Sequence, residues 1–355
     1  MRLRSLIREV ETFEDIAGVT VTHLPPVKFD PQTGALNTSE GELQVLLKKR
    51  AELVRKTFEQ VQPDVMVIEF FPFGRWNLRS ELLPILEMIK LSKPRKTRLV
   101  CSLRDVPQES FKESYEMRCC AILNTYFDHF LIHSDPEFFH LKDSFPSWQK
   151  IKIDTHYTGY VSMKYHAEVD EELDCSIKPE DKIILVTAGS GADAYGTFDY
   201  LKACIQAKAL LDQHKKVKML IYTGCFFSDD GYAKLKALCH DEKNIILKRF
   251  TPQILYWMKR AELSISRGGY NTCMNILETG VRSVIVPVGL SNDQNNRTKK
   301  MAALNLTHKL DEVDLTPENL CNGYQTPCVY YWAGTAFSCA HVDARDRYLC
   351  LSISL

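Results

Sequence analysis

Short apolar runs alternate with longer segments of helical period along most of this chain, and that alternation narrows the fold before any single residue is weighed. The runs at 64–70, 98–103, 128–133, 182–188, 217–223, 244–247, 262–266 and 282–287 are too short for helices and read as buried strands. Between them lie helix candidates such as 42–61, where Leu43, Leu46, Leu47, Val54 and Phe58 fall on one face, and 198–211. Strand and helix in turn predict an α/β fold of parallel sheets, doubly wound with helices on both faces.

At 355 residues the chain is long for one hydrophobic core. The acidic, polar stretch 168–181, with Pro179, marks a natural division. The expected organisation is an α/β domain over 1–161, a linker over 162–181, a second α/β domain over 182–320 and an irregular tail over 321–355, with a ligand cleft between the halves. The opening MRLRSLIREVETF reads as a charged helical segment, so the first βα unit of the first domain is expected to be missing. In the tail, Cys328, Cys339, His341 and Cys350 contain no CxxC-type pair and read as irregular sequence rather than a metal cluster.

Lys plus Arg and Asp plus Glu balance at 45 each, which leaves no electrostatic footprint for nucleic acid or an anionic membrane. No run approaches the roughly 18 apolar residues of a membrane span, although peripheral association stays open. The opening segment has charges where a signal peptide needs an apolar core, and the 12 cysteines are irregularly spaced. Reduced thiols and a cytoplasmic location are expected, with small molecules or proteins as partners.

The stretch 266–294, SRGGYNTCMNILETGVRSVIVPVGLSNDQ, reads as a turn, a helix, a buried strand and a polar loop. Gly268 and Gly269 would leave backbone amides bare where Asn271 and Thr272 open a helix, and such a helix start attracts phosphate. A second turn of this kind, Gly189-Ser190-Gly191, follows the 182–188 run and precedes another helix. Taken alone it is equally a plain tight turn; two such sites in one domain suggest a diphosphate. Between them, Phe250 and Thr251 follow a strand and suit the edge of a base, or Phe250 simply packs in the core. Asn275, one turn into its helix, would reach ribose hydroxyls or face solvent. Asp293 and Gln294 combine acceptors with an amide donor, which suits a sugar's vicinal hydroxyls, and Arg297 would face a phosphate or solvent. In the first half, Glu69, Arg104-Asp105 and His133-Ser134-Asp135 close three strands, where a carboxylate is either a general base or a cap or ion-pair partner.

With these residues in place the chain resembles GT-B glycosyltransferases, specifically those with a glycosyltransferase family 28 carboxyl-terminal domain and a related group of bacterial-type enzymes. The resemblance rests on Gly269-Tyr270-Asn271-Thr272, Gly280-Val281-Arg282 through Pro287, Asp293-Gln294, Glu69 through Arg75, Glu81-Leu82-Leu83-Pro84, Val100 through Asp105 and Tyr157 through Val161, and spans 18–320. It implies two Rossmann-like domains facing a cleft and transfer of a sugar from a nucleotide-sugar donor, usually UDP-linked, to an unidentified acceptor. By the same resemblance Gly189, Ser190, Gly191, Gly268, Gly269, Asn271 and Thr272 would cradle the diphosphate, Phe250 and Thr251 would lie beside the base, and Asp293 and Gln294 would hold the sugar. Asn275 stands where many relatives place a ribose-binding carboxylate. Asp105 or Glu69 would take the acceptor proton; helix starts and glycine amides would stabilise the departing diphosphate, and no metal or cofactor is called for. The family opens with a strand and a glycine-rich loop ending in His, which nothing before Gly18 matches, so a chain shortened at its front is expected. Two other readings follow the same residues: a relative that binds a nucleotide sugar or a protein without turnover, and a sugar-nucleotide epimerase.

Overall fold

The computed structural model describes residues 3–8, 19–29, 36–38, 41–105, 112–162, 177–192, 195–214, 216–289, 292–325 and 348–351. Most of the expected linker, and Cys328, Cys339 and His341, lie outside the described residues. The chain divides into two compact units, Met1–Tyr160 with Phe337–Leu355, and Val161–Ala336.

The first unit contains β1 (Leu3–Arg8), β2 (Val19–Leu24), the short β3 (Lys28–Phe29) and β4 (Leu36–Asn37), α1 (Leu43–Val61), β5 (Val65–Glu69), α2 (Arg79–Leu91), β6 (Arg98–Arg104), α3 (Glu113–Tyr126), β7 (His129–His133) and β8 (Asp154–Tyr157). Its main sheet is parallel and runs β2-β1-β15-β5-β6-β7-β8, where β15 is Tyr348–Leu351. Helix α1 packs on α2, pinned by a buried Arg50–Glu81 ion pair of 2.6 Å, and Arg50 also donates to the Pro25 carbonyl. Burial lifts the Glu81 carboxyl above its ordinary range, against the pull of Arg50. Strands β5 and β7 alternate: Met66, Ile68, Phe130 and Ile132 are buried, while Val65, Val67, Glu69, His129, Leu131 and His133 are half-buried. That half-buried face carries the polar groups of the first unit.

Two expectations are corrected here. The opening segment is a strand rather than a charged helix, because pairing with β2 from Leu3↔Val19 to Arg8↔Leu24 and with β15 outweighs local propensity. The segment 321–355, read as irregular, carries the end of a helix, Pro317–Gln325, and strand β15. A four-residue strand shows too little period to be found by pattern, and register with β1 and β5 defines it.

In the second unit β9 (Ile183–Thr187), β10 (Lys218–Tyr222), β11 (Ile245–Lys248), β12 (Leu263–Ser266), β13 (Ser283–Ile285) and β14 (His308–Lys309) form a parallel sheet in the order β11-β10-β9-β12-β13-β14. Every residue of β9, β12 and β13 is buried, as a sheet covered on both faces requires. Helices Thr197–His214, Asp229–Leu238, Ile254–Arg260, Tyr270–Thr279 and Asn292–Ala303 connect the strands.

Candidate functional site

The second unit's connectivity singles out one place on its sheet. After β9 the chain adds β10 and β11 on one side, then returns to lay β12 against β9 on the other, pairing Ile184 with Leu263 and Thr187 with Ser266. The carboxyl ends of β9 and β12 therefore flank the reversal of strand order, where an open parallel sheet leaves a crevice for ligand. The two glycine-rich turns found in the sequence are the segments that leave these two strands.

The turn after β9 is locked by backbone contact with the turn after β10. Gly191 has φ +78, and a Cβ on it would lie 2.0 Å from the Thr223 carbonyl oxygen; Gly224 has φ +91, and its Cβ would lie 2.4 Å from the carbonyl carbon of Ser190. Only glycine fits either position. The Gly191 amide donates to the Ala188 carbonyl at 3.3 Å, and the Ser190 carbonyl accepts from the Phe226 amide at 2.9 Å. Both predicted contact residues are thus tied into the scaffold through their backbone, while Gly189 borders open space. The Thr197 hydroxyl donates to the Ala192 carbonyl at 2.7 Å, bracing the turn against the helix that follows.

After β12 the two glycines differ. Gly268 lets the Asn292–Ala303 helix approach, since a Cβ there would meet the Thr298 hydroxyl at 2.8 Å and Gln294 at 3.2 Å. Gly269 is the N-cap of the Tyr270–Thr279 helix; no side chain caps that end, and the space beside Gly269 is open. The amides of this first turn, including those of exposed Asn271 and half-buried Thr272, form the positive end of a ten-residue helix. Asn275 is 5% exposed, so the solvent-facing alternative is excluded by burial, and its Oδ1 has no hydrogen-bond partner. An orphan acceptor in that setting costs stability unless something binds there.

Asp293 and Gln294 open the Asn292–Ala303 helix instead of ending a loop. The Gln294 Oε1 accepts from the Val288 amide at 3.2 Å. Arg297 does not face solvent: it is 1% exposed, donates to the Gly268 carbonyl at 2.8 Å and lies 3.3 Å from Asp293. Burial, and secondarily the Asp293 charge, raise the Tyr195 phenol above its usual range.

Two further residues organise this edge and were not picked out from the sequence. Arg267, buried between β12 and Gly268, forms an ion pair with Glu312 at 2.9 Å, donates to the carbonyls of Tyr195, Gly196 and Val286, and stacks 4.3 Å from the Tyr200 ring. Glu312 accepts in turn from the Gly289 amide at 2.9 Å. The available signal was an arginine directly before the glycine pair, at a strand end where a charge needs partners. Thr251 is buried and its hydroxyl accepts from the Gln253 amide at 3.1 Å, whereas Phe250 is 48% exposed beyond the end of β11, which excludes core packing.

In the first unit, Glu69, Arg104 and His133 lie on neighbouring strands β5, β6 and β7 at their carboxyl ends. Glu69 and Arg104 form an ion pair of 3.0 Å, and Asp105, the other predicted base, is fully buried. His133 Nε2 is 2.7 Å from the Ser102 hydroxyl and Nδ1 is 2.8 Å from the Thr158 hydroxyl, which also donates to the Gly159 carbonyl at 2.9 Å. Burial holds the His133 imidazolium below its ordinary pKa, with the opposing Glu69 charge a lesser influence and Arg104 reinforcing the shift. Arg75 closes the same motif as Glu69, and burial pushes its pKa down to about 10. The part of Ser102 and Thr158 escaped the sequence because it depends on strand register.

These two parallel α/β units have the GT-B glycosyltransferase fold. Residues 183–326 match the glycosyltransferase family 28 C-terminal domain. The forosaminyltransferase SpnP of spinosyn shares the fold at TM-score 0.55 and 14% identity, over 90% of this chain and 80% of that one. The glycotransferase of kitacinnamycin does so at TM-score 0.54 and 14% identity, over 87% and 78%. A UDP-glucosyltransferase from Polygonum tinctorium capable of glucosylating indoxyl does so at TM-score 0.53 and 8% identity, over 90% and 88%. No curated relative matches the chain by sequence. Among the described residues no helix is long and apolar enough to cross a membrane.

Proposed function

We propose that the protein transfers a sugar from a nucleoside-diphosphate donor, with UDP as the carrier, to an acceptor hydroxyl. One observation carries this reading: two helix starts leave the adjacent strands β9 and β12 at the reversal of strand order, and the second has an uncapped first turn above a buried, partnerless Asn275 oxygen. Gly189 and the amides after Gly269 would hold the diphosphate as fixed dipoles that stabilise charge on the departing oxygen. Asn275 would accept from a ribose hydroxyl, Asp293 and Gln294 would hold the sugar, and Phe250 with Thr251 would border the base. Of the two candidate bases, half-buried Glu69 is better placed to reach an acceptor than fully buried Asp105. The first unit as acceptor half, the second as donor half, and a cytoplasmic site of action belong to the same reading.

Binding without turnover is the second reading. It is favoured by the ion pair that engages Glu69 and by the complete burial of Asp105, since neither state suits a general base. Incubation with UDP-sugars, with UDP release followed and products identified, separates the two. Release with a glycosylated product supports transfer, an isomerised donor indicates an epimerase, and calorimetric UDP binding without release supports the second reading. Absence of both UDP and thymidine diphosphate binding would overturn all nucleotide readings. Gln294→Ala should weaken use of the intact donor more than binding of UDP, and equal losses would remove its assignment to the sugar.

A further inference from the structure

At the amino ends of β7 and β8, on the opposite edge of the first sheet from Glu69 and His133, three side chains of metal-ligand type converge. His129 and Asp154 are direct partners across the parallel ladder, and His156 follows Asp154 by two residues, on the same face of β8. One ligand atom from each of the three lies within 4.8 Å of the other two, and His129 Nδ1 is 3.9 Å from Asp154 Oδ2. The imidazoles of His129 and His156 have centroids 6.0 Å apart. Among the described residues no other group of three such ligands comes together in this way.

We propose that His129, Asp154 and His156 bind a divalent first-row transition ion. Nitrogen and oxygen ligands sit about 2.0–2.2 Å from zinc, so the three atoms must draw closer by roughly an ångström. The ladder fixes the backbones, and side-chain torsions supply the movement, because Asp154 and His156 are exposed and His129 is half-exposed. Two imidazoles and one carboxylate suit zinc, nickel, cobalt or copper; magnesium and calcium prefer an all-oxygen shell. Three protein ligands leave a fourth position for water. The ion would fasten edge strand β8 to β7, and β8 leads directly to Thr158, the partner of His133. The site is thus a clamp on the strand that supports the first unit's polar cluster.

The test is titration of the full chain with Co²⁺ and Zn²⁺, by visible absorption and calorimetry, in wild type, His129→Ala, His156→Ala and Asp154→Asn. One saturating equivalent is expected, with an unfolding temperature that rises with Zn²⁺ and is insensitive to Mg²⁺. Either His→Ala change should cost more than the roughly 10–100-fold typical of losing a group that merely supports a ligand. The exposed positions of Asp154 and His156 make those variants foldable, which circular dichroism would verify. Absence of saturable binding, or binding of wild-type strength in His156→Ala and Asp154→Asn, would overturn the proposal.

Discussion

The Arg267 guanidinium stands 2.9 Å from Glu312 and, from the same buried position, donates to the backbone of the Tyr195–Gly196 segment. One side chain therefore ties the end of β12 to the start of the helix after β9 and, through Glu312, to Gly289. Arg267→Ala should destabilise the protein by about 1–3 kcal/mol, the scale of leaving the carbonyls it serves without their donor, while one-third-exposed Glu312 regains water. Arg267→Lys should recover little, since one ammonium cannot span the same acceptors. Urea unfolding with an unchanged slope would measure both.

Alanine substitutions at glycines should separate scaffold from ligand contact. Gly191→Ala forces a Cβ to within 2.0 Å of a backbone oxygen at φ +78, and a loss of about 3 kcal/mol or more is expected. Gly269→Ala meets nothing within 4 Å and has φ −62, so stability should be nearly unchanged. UDP binding should nevertheless fall in Gly269→Ala, because the methyl group occupies the approach to the helix amides. Retention of full UDP affinity there would move the diphosphate elsewhere.

Asn275→Leu replaces an unsatisfied buried oxygen with an apolar group of similar size. Stability should hold or rise, while UDP affinity falls by about tenfold, the equivalent of one hydrogen bond of roughly 1.4 kcal/mol. Denaturation and calorimetry on the same sample would show the opposed directions, and a parallel fall in both would mark Asn275 as structural.

Acid should weaken the fold through its histidines. His133 and His308 both have imidazolium pKa values lowered by burial, so the unfolded chain binds more protons than the native one as pH falls through the ordinary histidine range. Their contribution to stability is intact above the unfolded pKa of about 6.5 and is lost progressively below it, down to the lower folded values. His133→Gln should flatten the stability profile between about pH 7 and pH 5. An unchanged slope would mean that His133 titrates alike in both states.

How much of this was legible in the sequence depends on the range of the interaction. The β9, β12 and β13 runs were found because burial on both faces leaves a continuous apolar signature, and helix 42–61 because its apolar positions recur on one face. The glycine turns were located from sequence, but a further steric requirement on them was not: Gly191 answers to Gly224, and Gly268 to Thr298, across distances in sequence that no local pattern encodes. Of the two settings expected for Arg297, a phosphate or solvent, burial rules out solvent, and the Gly268 carbonyl and Asp293 that satisfy it inside could not be read from local sequence. Strands β1 and β15 escaped notice for a related reason, since each is defined by its neighbours in the sheet.

The position of β15 between β1 and β5 also sets an order of events during synthesis. Strand β5 is complete at Glu69, whereas the strand that fills its open side begins at Tyr348. At about 5–20 residues per second, tens of seconds separate the two on a ribosome. Through that interval the facing edges of β1 and β5 present unpaired backbone, the kind of surface that recruits stray strands. The second unit's strands, from Ile183 to Lys309, all emerge earlier and need no later partner. The second unit's sheet is then complete first, and the first unit's sheet waits for β15.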